Sequence, residues 1–136
     1  MKLINILTGI TWVAIMLVAC GWSGGDTLNG TTWQLHSIGR FSPIPDSLTT
    51  ISFENGQVSG RGGCNQFGGK YHINGNVITV EELYMTEMAC LSPEGVMEQE
   101  QLFLQHLGDA GRFELADGQL QIYGSDGDAL IFLPAE

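Results

Sequence analysis

Two cysteines in distinctive settings carry the most suggestive chemistry in this 136-residue chain. Cys64 stands in a glycine-rich run, Val58-Ser59-Gly60-Arg61-Gly62-Gly63-Cys64-Asn65-Gln66-Phe67-Gly68-Gly69-Lys70-Tyr71, and Cys90 closes Thr86-Glu87-Met88-Ala89-Cys90. One chemistry available to Cys64 is nucleophilic: a thiolate with His72 as its base and the glycine turn as an oxyanion hole. No third group that would orient the base is evident. The other is a disulfide, which an even cysteine count in an exported domain favours. Its loop, from 64 to 90, would contribute ~3–4 kcal/mol in the chain-entropy model. Zinc fits poorly, because Cys64, Cys90, His36, His72 and His106 contain no short-range ligand pair. All three histidines are expected on the solvent side, and no catalytic, metal or cofactor-binding residue is assigned.

Export itself is read from the N-terminus. Lys2 precedes an apolar run over 3–19 that closes on Leu17-Val18-Ala19-Cys20. A charged start, an apolar stretch and small residues before a cleavage point describe a secretory signal. Leu-Val-Ala-Cys resembles the lipobox of bacterial lipoproteins, which implies acylation at Cys20 and removal of residues 1–19. An ordinary signal peptide and a retained anchor helix are the alternatives, although Asn5, Thr8, Gly9 and Thr11 weaken a run already short of the ~20 residues of a bilayer crossing. Several acyl chains would anchor stably, each buried CH₂ contributing ~0.8 kcal/mol.

The remaining chain is long enough for one domain with a core, not two. It keeps four bases, Arg40, Arg61, Lys70 and Arg112, against all fifteen acids. So few scattered bases cannot track phosphates, and no nucleic-acid partner is expected. The acidity serves solubility, or recognition of a basic partner.

The elements that must position these residues are mostly strands. Residues 20–27 read as acylated cysteine plus short tether, and a domain spans 28–134. Trp33, Leu35 and Ser37 share one strand face, and Ile51 and Phe53 another. Asn55-Gly56, Asn74-Gly75-Asn76, Asp117-Gly118 and Asp126-Gly127 are hairpin signals between alternating runs. The pattern predicts a mainly β, antiparallel domain. One helix is expected over about 93–107, with Ser92 as N-cap, Pro93 at its first position and Gly108 as its stop. Val96, Phe103 and Leu107 form its apolar stripe. Glu100 falls inside that stripe and is expected at its rim, reaching water or an arginine such as Arg61 or Arg112. The run from Gly60 to Asn65 reads as backbone geometry, with Gly63 suited to a positive φ.

Trp33-x-Leu35, the Gly-x-x-Gly-Cys-Asn of Gly60, Gly63, Cys64 and Asn65, then Phe67, Gly69, Tyr71, Thr86-x-Met88-Ala89-Cys90, Phe103-x-x-x-Leu107 and Leu120-x-Ile122 together resemble the META domain, or HslJ-like, family. The resemblance spans about 28–133. It implies a barrel-like antiparallel sheet of about 7–8 strands with one helix packed across it, in an envelope protein often lipid-anchored. It also implies a link to heat-shock induction and antibiotic tolerance, with no established catalytic activity. The expected protein is therefore a non-catalytic binding or scaffold module. It would be held to a membrane through Cys20, on the periplasmic face of the outer membrane if the source has two membranes, with an envelope protein as partner. A Cys64-dependent enzyme and a lipid-chain binder using the barrel interior are the alternatives.

Overall fold

The computed structural model describes residues 25–136. The expected leader, Cys20 and the start of the tether lie outside the described residues. Eight strands follow one another as β1 (Thr31–Ile38), β2 (Thr49–Glu54), β3 (Gln57–Gly62), β4 (Gln66–Asn74), β5 (Val77–Met85), β6 (Ala110–Ala116), β7 (Gln119–Gly124) and β8 (Ala129–Pro134). Each pairs antiparallel with the next, and β8 returns to β1 with Trp33 opposite Pro134 and Ile38 opposite Leu130. The result is a closed barrel without free sheet edges at that junction. Its weakest seam is β5 to β6, joined at one register position, Val77 opposite Arg112.

Local sequence explains the turns. Asn55 (φ 50°) with Gly56 (φ 76°), and Asp117 (φ 53°) with Gly118 (φ 74°), supply the consecutive positive φ values of a tight hairpin. Bulges between Leu35 and Ser37, Gly68 and Lys70, and Ala110 and Arg112 bend the strands around the barrel. The first bulge corrects the expected alternation in β1. Past Leu35 the inward position passes to Ile38, and Ser37 is only half-buried.

Because strands alternate in direction, the connections gather at two ends. The tether end holds residues 25–30, the hairpin turns at 55–56, 75–76 and 117–118, and residues 135–136. The helix end holds the connections 39–48, 63–65, 86–95 and 125–128, together with α1 (Val96–Gly108). Among the described residues, no helix is long and apolar enough to cross a membrane.

The helix starts later than its sequence signals suggest. Ser92 does not cap it; Gly95, in a left-handed conformation at φ 81°, occupies the N-cap, and the Ser92–Pro93 peptide is cis. Helical dihedrals therefore begin at Val96. From there Val96, Glu100, Phe103 and Leu107 turn inward, and α1 packs against β3, β5, β7 and β8 across the barrel mouth.

Aromatic rings fill the interior. Phe103 meets Phe67 edge-on at 5.5 Å and Phe132 at 6.3 Å, while Phe53 meets Tyr71 at 5.0 Å nearer the tether end. Leu28, fully buried, joins that cluster. Burying each such ring contributes ~1.5–3 kcal/mol, so the helix is held chiefly by Phe103 and Leu107 acting as a stopper. Contacts of the domain reach back to Asp26. Its Oδ1 accepts the backbone N–H groups of Leu28 (3.0 Å) and Asn29 (3.2 Å), and its Oδ2 accepts the Tyr71 hydroxyl.

Candidate functional site

The glycine-rich run crosses from β3 to β4 directly under the helix, and three glycines there solve problems of space. A Cβ at Gly60 would overlap the Thr50 carbonyl, and one at Gly62 would lie 2.6 Å from Glu100 Oε2. Gly63 sits at φ 119°, in the region that side chains rarely adopt, with Val96 Cγ2 3.1 Å from the place of its Cβ. The backbone thus passes close enough to α1 for its N–H groups to reach a helix side chain.

That side chain is Glu100, and the rim position expected of it is overturned. It is 1% exposed. Its Oε2 accepts the backbone N–H groups of Cys64 (3.1 Å) and Asn65 (2.6 Å), and its Oε1 accepts Asn65 Nδ2 (2.7 Å). A carboxylate spared an arginine can be buried here because three oriented N–H donors replace its water. Arg61 is exposed, and neither of the ion pairs among the described residues involves Glu100.

Asn65 then carries the connection outward. Its Nδ2 also donates to the Met88 carbonyl (3.2 Å), and its Oδ1 accepts the Thr86 hydroxyl (2.9 Å) and the Met88 N–H (2.7 Å). Its own carbonyl accepts from Gly62 N–H at 2.8 Å. Every polar group of this residue is therefore occupied, as burial demands. The Cys64–Cys90 disulfide, with Cα atoms 5.9 Å apart, fixes the same segment from its far end. Together these bonds hold residues 86–90 against the barrel rim while the Met88 side chain remains 53% exposed.

A second tie comes from the neighbouring helix residue. Gln99 Oε1 accepts the Ile44 N–H (2.6 Å), and its Nε2 donates to Ser47 Oγ (2.9 Å). Consecutive residues Gln99 and Glu100 thus secure the 39–48 and 63–65 connections to the first half of α1. Nothing in the sequence marked Gln99, whose partners lie more than 50 positions away.

The other sequence candidates are dispersed. Cys64 is in the disulfide, and His72 pairs with Thr79 toward the opposite end of β4, so the two are not neighbours. His36 and His72 are exposed. His106 is half-buried, and its ring nitrogen lies with the carboxylates of Asp126 and Asp128 within 4.8 Å, a grouping made by the packing of α1 beside the β7–β8 turn. Beside it, Asp109 accepts the Ser125 hydroxyl (2.6 Å) and N–H (2.9 Å), which hold its carboxyl below the usual value. At the other end, burial and then the bond to Asp26 push the Tyr71 phenol well above its ordinary value.

An eight-stranded antiparallel barrel, stoppered by one helix whose buried glutamate grips a bridged loop, defines a small β-barrel domain with a packed interior. Residues 26–136 match the META domain, and the chain belongs to the META domain family. An NMR structure of a protein from Burkholderia xenovorans is similar with TM-score 0.67 at 26% identity, over 79% of this chain and 83% of that one. A second NMR structure gives TM-score 0.64 at 24% identity, over 79% and 91% of the two chains. The crystal structure of a DUF4847 family protein from Bacteroides vulgatus shares the fold, with TM-score 0.57 at 12% identity over 81% and 95%. No curated protein matches the chain.

Proposed function

We propose that this protein is a non-catalytic envelope module, lipid-anchored through Cys20, that binds another envelope protein through the helix end of its barrel. One observation carries the reading: the buried polar bonds and the disulfide hold residues 86–90 in place with Met88 outward, rather than shaping a cleft. Ordering a loop before it binds lowers the entropy lost on association. The ring-filled interior favours surface recognition over a lipid chain inside the barrel. Anchoring would come from Leu17-Val18-Ala19-Cys20 and would place the tether end toward the membrane. A role in stress or antibiotic tolerance follows from the family resemblance and belongs to the same proposal.

The test is photo-crosslinking in the native envelope. A crosslinking residue at position 91 of the helix end should capture a discrete protein, and one at position 115, toward the tether end, should not. Absence of any captured protein from both positions, in cells that contain the anchored chain, would defeat the binding reading.

A further inference from the structure

Most of the large apolar side chains exposed on this barrel lie at its helix end. Of the large apolar side chains exposed among the described residues, only Val77, Leu115 and Leu133 lie away from it. Leu91 is 95% exposed, Tyr84 70% and Phe41 66%. Single exposed apolar residues are ordinary, but several of them at one end of a small domain point to a contact surface. Two connections, 39–48 and 86–95, carry Phe41, Leu48, Met88 and Leu91 of this group, and they adjoin at the helix N-terminus. There Ile44 Cδ1 lies 3.2 Å from the Cβ position of Gly95, and Gln99 bonds to Ile44 and Ser47.

Acids share the same two connections and the first helical turn. Asp46, Glu87, Glu94 and Glu98 are all exposed, against two bases at this end, Arg40 in the 39–48 connection and Arg61 at the end of β3. The surface is therefore apolar and carries more acids than bases, with 86–90 held by the disulfide and 39–48 by Gln99. We infer that it docks a cationic amphipathic segment of another protein, one that sets apolar side chains against Leu91, Met88 and Phe41 and lysine or arginine opposite Asp46, Glu87, Glu94 and Glu98. This inference rests on the binding reading above and names the chemistry of its partner.

Charge and geometry disfavour the other occupants. A second copy meeting the same face would oppose acid to acid across a two-fold axis. An anionic lipid surface would be repelled, and the chain enters the barrel at the other end, where residue 25 begins the described structure. Opposite charges at a partner interface also speed encounter and make binding salt-sensitive.

The experiment uses the full chain in nonionic detergent with ¹³C-methyl methionine, titrated with a peptide of leucine and lysine at helical spacing. The Met85 and Met88 methyl signals should shift and saturate, and a peptide with glutamate in place of lysine should leave them unmoved. Glu87→Lys with Glu94→Lys should weaken binding about tenfold, whereas the matched reversal Glu54→Lys with Glu114→Lys at the opposite end should change it less than about twofold. Equal weakening by the two pairs would mean diffuse charge attraction and overturn the inference. So would methyl shifts with the glutamate peptide, with anionic vesicles, or with increasing protein concentration alone. The binding reading is judged separately: envelope crosslinking at position 91 that survives the Glu87 and Glu94 reversals would leave it standing while removing the cationic partner.

Discussion

Asn65 and Glu100 are joined twice, Nδ2 to Oε1 at 2.7 Å and backbone N–H to Oε2 at 2.6 Å, and both groups are buried. This pair couples a strand connection to a helix 35 residues later in the chain.

Glu100→Ala should strip partners from the Cys64 N–H, the Asn65 N–H and the Asn65 amide. Each buried donor left alone costs ~1–3 kcal/mol, and partial entry of water brings the expected total to about 3–5 kcal/mol. Glu100→Gln keeps one acceptor and should cost less. Denaturant midpoints of the two variants check the order; a Glu100→Ala midpoint equal to wild type would contradict the pin.

Gly63→Val should destabilise by ~1–3 kcal/mol, since a β-branched residue is strained at φ 119° and Val96 stands in the way. Arg61→Ala, on an exposed side chain, should stay within ~0.5 kcal/mol. Thermal melts distinguish them, with about 4–8 °C expected per kcal/mol for a domain of this size.

Reduction of the Cys64–Cys90 bridge should lower stability by ~3–4 kcal/mol in the chain-entropy model. The amides of residues 86–90 should then exchange with solvent faster than those of β7. Alkylation of the unreduced protein should find no thiol at either position.

Tyr71 sets an alkaline limit. Its folded-state phenol titrates above the ordinary 10.0 because burial, then the bond to Asp26, favours the neutral form. Folding therefore gains stability fully below pH 10.0, and this contribution is lost as pH rises through the higher folded value. Tyr71→Phe should flatten the stability decline above pH 10.0, measured as denaturant midpoint against pH. An unchanged slope would reject Tyr71 as its source.

Cys20→Ser should abolish acylation and processing by the lipoprotein pathway. Metabolic labelling with a fatty acid reads this directly, and wild-type protein found soluble and unacylated would refute the anchor.

The hairpins were legible in the sequence because Asn-Gly and Asp-Gly encode their own backbone angles within two residues, as Asn55-Gly56 and Asp117-Gly118 show. The cystine was legible as the two cysteines, Cys64 and Cys90, that follow a segment reading as an export signal. Glu100 was not, because its compensation comes from backbone N–H groups that a helical stripe does not reveal. The helix start was missed because Ser92-Pro93-Glu94 has every sequence property of an N-terminus, yet left-handed Gly95 follows it. Met88 is a motif residue that the fold uses through its backbone, so its type alone disclosed no role for its exposed side chain. The His106, Asp126 and Asp128 grouping depends on bringing α1 beside the β7–β8 turn, which no local pattern specifies.

Closure of β8 onto β1 leaves residues 25 and 136 at the same rim, with the Ala135 N–H donating to the Thr32 carbonyl at 3.2 Å. Since each strand neighbours its predecessor in sequence, the covalent break between last and first strand is topologically arbitrary. A circular permutant joined across that rim and opened at 117–118 would keep every strand pairing. The opening chosen would then decide only where a leash attaches, and cutting within 125–128 would invert the barrel relative to its point of attachment.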